Sequence, residues 1–560
     1  MAAHLFLLCC LAVVGLLTMF LVYQILIAPR FNPLRQIAGP PVPKWFGNHL
    51  FAVLEPSVSP KVHEAFVQRY GRSIRIRGVG PWDERLLTLD PVSIAHVLKN
   101  YAIYEKPWQS RRLITRLIGC GLLAAEGQVH KRQRRVATPA FSIQNMKALV
   151  PLVFKKGSEL ADRWMDMIVQ GQAGEAKSVT GGVRIDVCHW INRATFDVIG
   201  LAGFDYNFNA IRDETNELFC AYREMFEVAI SQGRLFRTMM DIYLPYLSAL
   251  FPDETMRTIH RCRAVIQRVA GHLVTEKKRK IMEGEKNKSA FVERDLLSLL
   301  LKSNLATELP LEDRISDEDI LHNINTFMFA GSDTSSLSMT WTLLLLAQNP
   351  AVQTRLRTEL LSAAPMLGNL HSLTEDEVQS LYSIVSNLPY LHNVACESLR
   401  LIPPLHSSIR VATQDDMIPT MHPVHANDGT IGQRSVMISK GSFVHVAVEG
   451  FNLDKAIWGP DAWEFNPDRW DDLPESASQQ PGLFANTLTF SAGPRSCIGM
   501  RFSMIEMKTF LFILLINFKF TLTDDQIFKA NVVLTRPYIS GKFKEGSQCP
   551  LLVSRYYVSE

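Results

Sequence analysis

No C-x-x-C pair occurs among the nine cysteines of this 560-residue chain (Cys9, Cys10, Cys120, Cys188, Cys220, Cys262, Cys396, Cys497 and Cys549), and their number is odd. That excludes a paired disulfide scaffold and a zinc module, and fits a reducing compartment. Charge of one sign is not in surplus either: 59 Lys and Arg face 55 Asp and Glu, for a net charge of +4. Composition therefore offers no basis for nucleic-acid binding, and no nucleic-acid partner is expected. Internal repeats and low-complexity tracts are missing. So are a flavin- or nicotinamide-binding glycine fingerprint and any regular βαβ alternation, which argues against a Rossmann or barrel enzyme. His422-Pro423-Val424-His425 lacks a third ligand at zinc-like spacing and reads as a loop. What is present is a chain with 47% hydrophobic and 20% charged residues, a globular balance.

The amino terminus carries a long apolar run. Leu5 to Ile27 contains no charge, and about 20 apolar residues in a helix cross a bilayer core. No Lys or Arg precedes the run, whereas Arg30, Arg35 and Lys44 follow it. The positive-inside tendency places the bulk of the chain on the cytosolic side. A cleaved signal peptide is the alternative, but its apolar core is shorter. Gly39-Pro40-Pro41-Val42-Pro43 then reads as a stiff, extended spacer. The layout expected is a lumenal terminus at 1–4, a transmembrane anchor at 5–27, a proline-rich linker at 28–45 and one large domain at 46–560.

Most of that domain reads helical. Val150 to Val169 and Leu218 to Ile230 place apolar residues at helical spacing. Ser316 with Asp319 predicts a capped helix start, and Ile320 to Ala347 continues with Asp333 as its one charge. A helix that long and apolar crosses the core of a large domain. Strands are predicted at Ser73 to Arg77, Leu86 to Leu89 and Ser442 to Val448. The charged run Glu276 to Ser289 reads as a solvated loop. The fold class expected is mainly α with a minor β component.

The chemistry-bearing segment is Phe490-Ser491-Ala492-Gly493-Pro494-Arg495-Ser496-Cys497-Ile498-Gly499. Its glycines let the backbone turn tightly and approach a large flat ligand. Backbone N–H groups beside a thiolate lower its basicity. A helix from about Ile498 to Ile516 puts Cys497 at an N-terminus, which stabilises the anion. Arg495 suits a carboxylate such as a haem propionate, and Phe490 can pack beside the sulfur.

This segment resembles the F-x-x-G-x-R-x-C-x-G signature of cytochrome P450, with Phe490, Gly493, Arg495, Cys497 and Gly499 at its fixed positions. Glu397-Ser398-Leu399-Arg400 is similar to the family's E-x-x-R. Phe465-Asn466-Pro467-Asp468-Arg469-Trp470 is similar to the segment that brings a second arginine. Ala330-Gly331-Ser332-Asp333-Thr334-Ser335 resembles the oxygen-side A-G-x-[D/E]-T-[T/S]. An acid and a Gly in an apolar helix also suggest a local opening of that helix. Gly127 to Arg135 resembles the family's W-x-x-x-R helix, with His130 where Trp is usual. The matching runs keep the family's order and, with the stretch after the apolar run, cover nearly the whole chain. The stretch around Phe490 to Lys508 looks most like fungal membrane-bound members.

The resemblance implies a single P450-type haem domain behind its anchor, with Cys497 as axial thiolate ligand of haem b. It implies Arg134, His130, Arg495 and Arg410 as propionate partners. Glu397, Arg400 and Arg469 would form an architectural network, and Asp333 with Thr334 would organise proton delivery. It further implies a monooxygenase that oxidises a lipophilic small molecule with electrons from NADPH–cytochrome P450 reductase, with cytochrome b5 as a possible second donor. Lys131, Arg132 and Arg135 could meet an acidic redox partner. The location implied is the endoplasmic reticulum membrane, single-pass, in contact with lipid. A terpenoid or other secondary metabolite is the substrate class expected first, and a fatty acid or sterol second. A non-oxygenating haem-thiolate isomerase or lyase is the alternative within the fold, and the acid–Thr pair speaks against it. Lining residues are expected within Tyr104 to Gly121, Phe204 to Met239 and Phe327 to Gly331. Glu449-Gly450 departs from the family pattern, with no role assigned to Glu449.

Overall fold

Alternation of polar and apolar residues is brief in this chain, so its strands are short and its long elements are helices. The computed structural model describes residues 11–557, apart from isolated positions and the segments 174–181, 232–252, 287–294, 306–309 and 364–371. The strands are β1 (Ser73–Arg77), β2 (Glu84–Thr88), β3 (Tyr104–Glu105), β4 (Val183–Asp186), β5 (Ser408–Ala412), β6 (Asp416–Pro419), β7 (Ser435–Ile438), β8 (Phe443–Val446), β9 (Phe518–Leu522), β10 (Ile527–Val532), β11 (Leu534–Ile539) and β12 (Pro550–Arg555). The chain divides into two units, and all three predicted strands belong to the first.

The first unit comprises Met1–Pro107, Leu405–Ala462 and Pro474–Ser496. Its sheet has the order β1-β2-β8-β5-β3. β1 meets β2 antiparallel from Ser73↔Thr88 to Arg77↔Glu84, and β2 runs parallel to β8. β8 stops at Val446 because Val448–Asn452 turns into a short helix. Ile74, Ile76, Leu87 and Leu89 bury one face against Val53 and Ala447. The proline-rich stretch is docked on this sheet: the Arg75 N–H donates to Ala38 O at 3.0 Å. A Cβ at Gly39 would lie 2.0 Å from the Arg75 carbonyl, so only glycine permits that approach. Upstream, Val14–Phe31 is long and apolar enough to cross a membrane; residues 5–10 of the predicted anchor lie outside the described residues.

This unit also buries a polar cluster. Glu449, fully buried, accepts a hydrogen bond from Ser59 Oγ at 2.9 Å, and its N–H donates to His406 O at 2.9 Å. His445 lies 3.1 Å from an Arg85 nitrogen. His63 is held down at about 4, first by burial and with His406 adding to it, against the pull of Glu449. Glu449 is thus a core acid of this unit. His422 pairs with Asp90 at 3.0 Å, and no metal-binding cluster exists among the described residues.

The second unit comprises Trp108–Pro404, Trp463–Leu473 and Cys497–Glu560. Its main helices are α1 (Trp108–Ile118), α2 (Gly127–Ala137), α3 (Val150–Ala173), α4 (Val187–Phe204), α5 (Glu217–Ser231), α6 (Glu254–Lys286), α7 (Asp317–Gln348), α8 (Pro350–Ala363), α9 (Pro389–Leu401) and α10 (Met500–Asn517). The sheets β4-β12-β9 and β10-β11 complete it. Ser316 and Asp319 form the expected capping box of α7. The run from Glu276 does not leave the helix: α6 continues to Lys286. Its charges fall four apart, pairing Glu276 with Lys280 at 3.4 Å and Arg279 with Glu283 at 2.9 Å, and such pairs support a helix. Lys277 is buried and bonds Asp295 at 3.1 Å. α7 runs as unbroken α-helix, so no opened turn is present. The hydroxyls of Ser332, Thr334, Ser338 and Thr342 instead bond the carbonyls four residues back, which satisfies them inside an apolar helix.

Candidate active site

Cys497 stands just before α10, and the N–H groups of Gly499 and Met500 point at its sulfur. Burial pushes the thiol up, opposed by Gly499 N–H, the Arg134 guanidinium and Met500 N–H. The side chain is nonetheless accessible. An accessible thiol ringed by protein atoms faces a recess rather than bulk water. Arg134 is half-buried on α2, and its guanidinium interacts with Cys497. His130, one turn earlier on α2, is buried.

α7 is buried over most of its length, yet Phe329, Ala330, Gly331 and Thr334 are partly open. Four near-consecutive open positions, with little bulk beyond Phe329, make a strip where a flat group can lie against the backbone. An accessible thiol with helix N–H donors and a cation beside it, and an open strip on a core helix, both fit a haem-thiolate group. The Thr334 hydroxyl donates to Ala330 O at 2.6 Å.

Asp333 is buried and turned away from that strip. It forms an ion pair with Arg536 of β11 and accepts from Asn192 Nδ2 of α4 at 3.3 Å. A cavity of about 400 Å³ lies there, lined by Asn192, His189, Ser336, Arg536 and Glu545 among others. Asp333 and Thr334 are therefore adjacent in sequence but differently placed. Nothing in the sequence marked Arg536: it stands alone in a short strand ahead of Pro537, and only folding brings it to Asp333.

Glu397 is wholly buried on α9. Arg400 donates to both of its oxygens at 2.8 Å, and Arg469 Nε reaches Oε1 at 3.4 Å. Trp470 Nε1 donates at 3.1 Å and Asn466 N–H at 3.1 Å. A carboxylate so deep is tolerable only because its lone pairs are met and its charge is countered. The segment carrying Arg469 thus also contributes Trp470 and a backbone donor, neither of which was assigned from sequence.

The remaining candidates lie in the first unit. Gly493 has φ +70°, and a Cβ there would meet Leu98 O at 2.6 Å, so the position excludes other residues. The Arg495 guanidinium lies 5.9 Å from the Tyr101 ring. Phe490 packs edge-on to Phe484 at 5.5 Å. Arg410 is buried in β5 and donates to Ile409 O at 3.0 Å.

Several aromatics expected to line a substrate space are buried, and Phe204 and Phe208 border only a small cavity of about 10 Å³. Phe208 packs edge-on to Phe196 at 4.6 Å and to Tyr206 at 4.9 Å, and Phe327 packs edge-on to Phe141 at 5.3 Å. Phe204 is likewise buried. Their mutual packing satisfies these rings, which removes them from solvent more completely than a lining position would. Trp108 is exposed and Phe329 is partly open. Phe236 and the rest of 232–239 lie outside the described residues.

A family model described as Cytochrome P450 matches residues 38–539. Cytochrome P450 monooxygenase 205 of Postia placenta is 37% identical over 538 residues, covering 94% of each chain. Ganoderic acid synthetase of Ganoderma lucidum is 32% identical over 464 residues, covering 80% of this chain and 81% of its own. Cytochrome P450 monooxygenase claQ of Ampulloclitocybe clavipes is 30% identical over 533 residues, covering 94% of each.

Proposed function

The chain belongs to the cytochrome P450 family and is a monooxygenase of that family; on that premise we propose that it oxidises a terpenoid or related lipophilic secondary metabolite, with Cys497 as the thiolate ligand of haem b. Family membership implies a haem-thiolate cofactor, a redox partner and a small-molecule substrate. The observation that carries the assignment is the accessible Cys497 at the start of α10, with N–H donors and Arg134 turned towards it. When bound, a haem held this way activates dioxygen, the thiolate favouring O–O cleavage.

The chain's own residues do the rest. Arg134, His130, Arg410 and Arg495 are the proposed propionate partners. Glu397, Arg400 and Arg469 fix the shape of the thiolate side. Thr334 presents a hydroxyl on the open strip of α7. Asp333, held by Arg536 beside a polar cavity, relays protons from that cavity towards it. Apolar side chains exclude water from the reacting position. Exposed Lys131 and Arg135 on α2 offer cationic points for an acidic reductase, for which NADPH–cytochrome P450 reductase is the proposal. The Val14–Phe31 helix supports a single-pass anchor, assigned here to the endoplasmic reticulum. The relative named for ganoderic acid synthesis favours a secondary metabolite as the substrate class.

The test is the carbon monoxide difference spectrum of the dithionite-reduced protein beside Cys497→Ala. Expected is the long-wavelength Soret band of thiolate ligation in the wild type and its loss in the variant. Haem bound without that band in the wild type would refute Cys497 ligation and the oxygen chemistry built on it.

A further inference from the structure

α1, α6 and the first turns of α7 border an open cavity of about 800 Å³ within the helical unit. Four arginines line it: Arg111, Arg112 and Arg116 from α1 and Arg263 from α6. His260 and His322 join them. The spacing is helical. Trp108, Arg111, Arg112, Thr115 and Arg116 fall on one face of α1, and Met256, His260 and Arg263 on one face of α6. Among the described lining residues only Glu126 and Glu318 are acids. The cavity therefore carries a surplus of positive charge even with both imidazoles neutral.

Close packing fixes its base. Gly119 has φ +87°, and a Cβ there would lie 2.0 Å from His322 Cδ2. A Cβ at Gly121 would lie 2.3 Å from Thr326 Oγ1. Only glycines let the loop after α1 press on α7 this closely, and the imidazole is held in place by it. The Leu122 N–H ties the same loop down by donating to Asn323 Oδ1 at 3.0 Å. Burial holds His322 below the ordinary histidine range against Glu318 and Asp319, and Arg263 acts in the same direction as burial. Arg263 is thus close enough to share a ligand with the imidazole. Glu318 stands 3.9 Å from His322 but its side chain is 81% exposed, and water screens a carboxylate so placed.

The same cavity has an apolar wall in Trp108, Ala125, Val129 and Met256. Its volume suits a whole small molecule rather than a simple ion. Guanidinium forks beside an apolar wall fit a mostly apolar molecule that carries one carboxylate. α7 links this cavity to the open strip: His322 precedes Ala330 by eight residues.

We propose that this cavity is a carboxylate site, and that the substrate is a lipophilic carboxylic acid held there by Arg112, Arg263 and His322 and oxidised at a carbon about 12 Å along α7 from its acid group. A fused-ring terpenoid acid and a long-chain acid both have that reach. The proposal rests on the reading of the α7 strip as the oxidising side.

Soret titrations of the haem-loaded, full-length protein test it. The probes are oleanolic, dehydroabietic and palmitic acids, each beside its methyl ester, which keeps the skeleton and removes the charge. A charge-assisted contact at Arg263 should make at least one acid bind about tenfold tighter than its ester. Preference in a ring acid assigns a terpenoid skeleton, and preference in palmitate alone assigns a long chain. Arg263→Gln and Arg112→Gln should each shrink the acid-to-ester ratio several-fold, and Arg263→Lys should keep part of it. Arg112 is exposed, so its variant decides the matter should Arg263→Gln fail to fold. No preference for the acid in any pair, binding by none of the probes included, overturns the proposal. So does a ratio that survives in variants keeping the thiolate Soret band. Either result leaves the monooxygenase reading intact, whereas a wild type that binds haem without that band defeats that reading instead.

Discussion

Glu397 and Glu506 are both wholly buried in the helical unit, yet their surroundings could hardly differ more. Glu397 on α9 meets two guanidinium groups, an indole N–H and a backbone N–H. On Glu506 of α10 the Ser335 hydroxyl alone acts among the described residues, and burial drives its pKa upward. Depth does not set the charge of a carboxyl; the donors that reach it do. His63 in the sheet unit extends the lesson to a base. It is buried, neither ring nitrogen makes a hydrogen bond to protein, and it is kept neutral down to about 4.

The largest test of that contrast is Glu397→Ala. Removing the acid strands Arg400 and Arg469 without their shared counter-charge, which for a buried pair costs about 3–5 kcal/mol. Thermal and denaturant unfolding should show the drop, with haem retention falling alongside. A loss under about 1 kcal/mol would mean that the network is wetter than its geometry implies.

Next in size is the alkaline limb of stability, assigned to Glu506. Its folded pKa of about 8 stands above the ordinary 4.5, so the folded state holds a proton that the unfolded chain has released. Stability from this group is full below about pH 4.5 and declines as pH rises through about 8, by at most about 1.4 kcal/mol per pH unit. Denaturant midpoints at pH 6 and 8.5 should show a smaller fall in Glu506→Gln than in the wild type. Equal falls would assign the alkaline limb to other groups.

The smallest effect is the mirror image, on the acid side. His63 titrates at about 4 when folded, against 6.5 ordinarily, so the unfolded chain takes up the proton first. Stability is full above about pH 6.5 and is lost as pH falls through about 4. His63→Leu should shrink the change between pH 7 and 5 by about 1–2 kcal/mol, read from urea midpoints. Some slope should survive, because His445 is also held neutral by burial and by Arg85.

Local rules carried much of the secondary structure. The Ser316–Asp319 cap, the apolar length of α7 and the β-branched run of β1 all formed where side-chain chemistry predicted them. By charge alone the run after Glu276 suggests a loop, but the i,i+4 order of Glu276 with Lys280 and Arg279 with Glu283 is that of a helix. Sequence does not separate a lining from a core role for Phe204, Phe208 and Phe327, because an aromatic suits a cavity and a core equally well. Which one it meets depends on neighbours such as Phe196 and Phe141, distant in sequence.

By itself, then, the sequence determined the family, the helix-rich fold and the candidate residues around Cys497, because short motifs encode backbone demands that few other residues meet. Gly493 illustrates this, with its positive φ and its approach to Leu98. Only the tertiary structure decided which buried groups carry charge. Arg536 reaches Asp333 across 203 positions, and Ser335 reaches Ser503 across 168. Protonation depends on what stands within a few ångströms in space, and no local pattern in a chain records that.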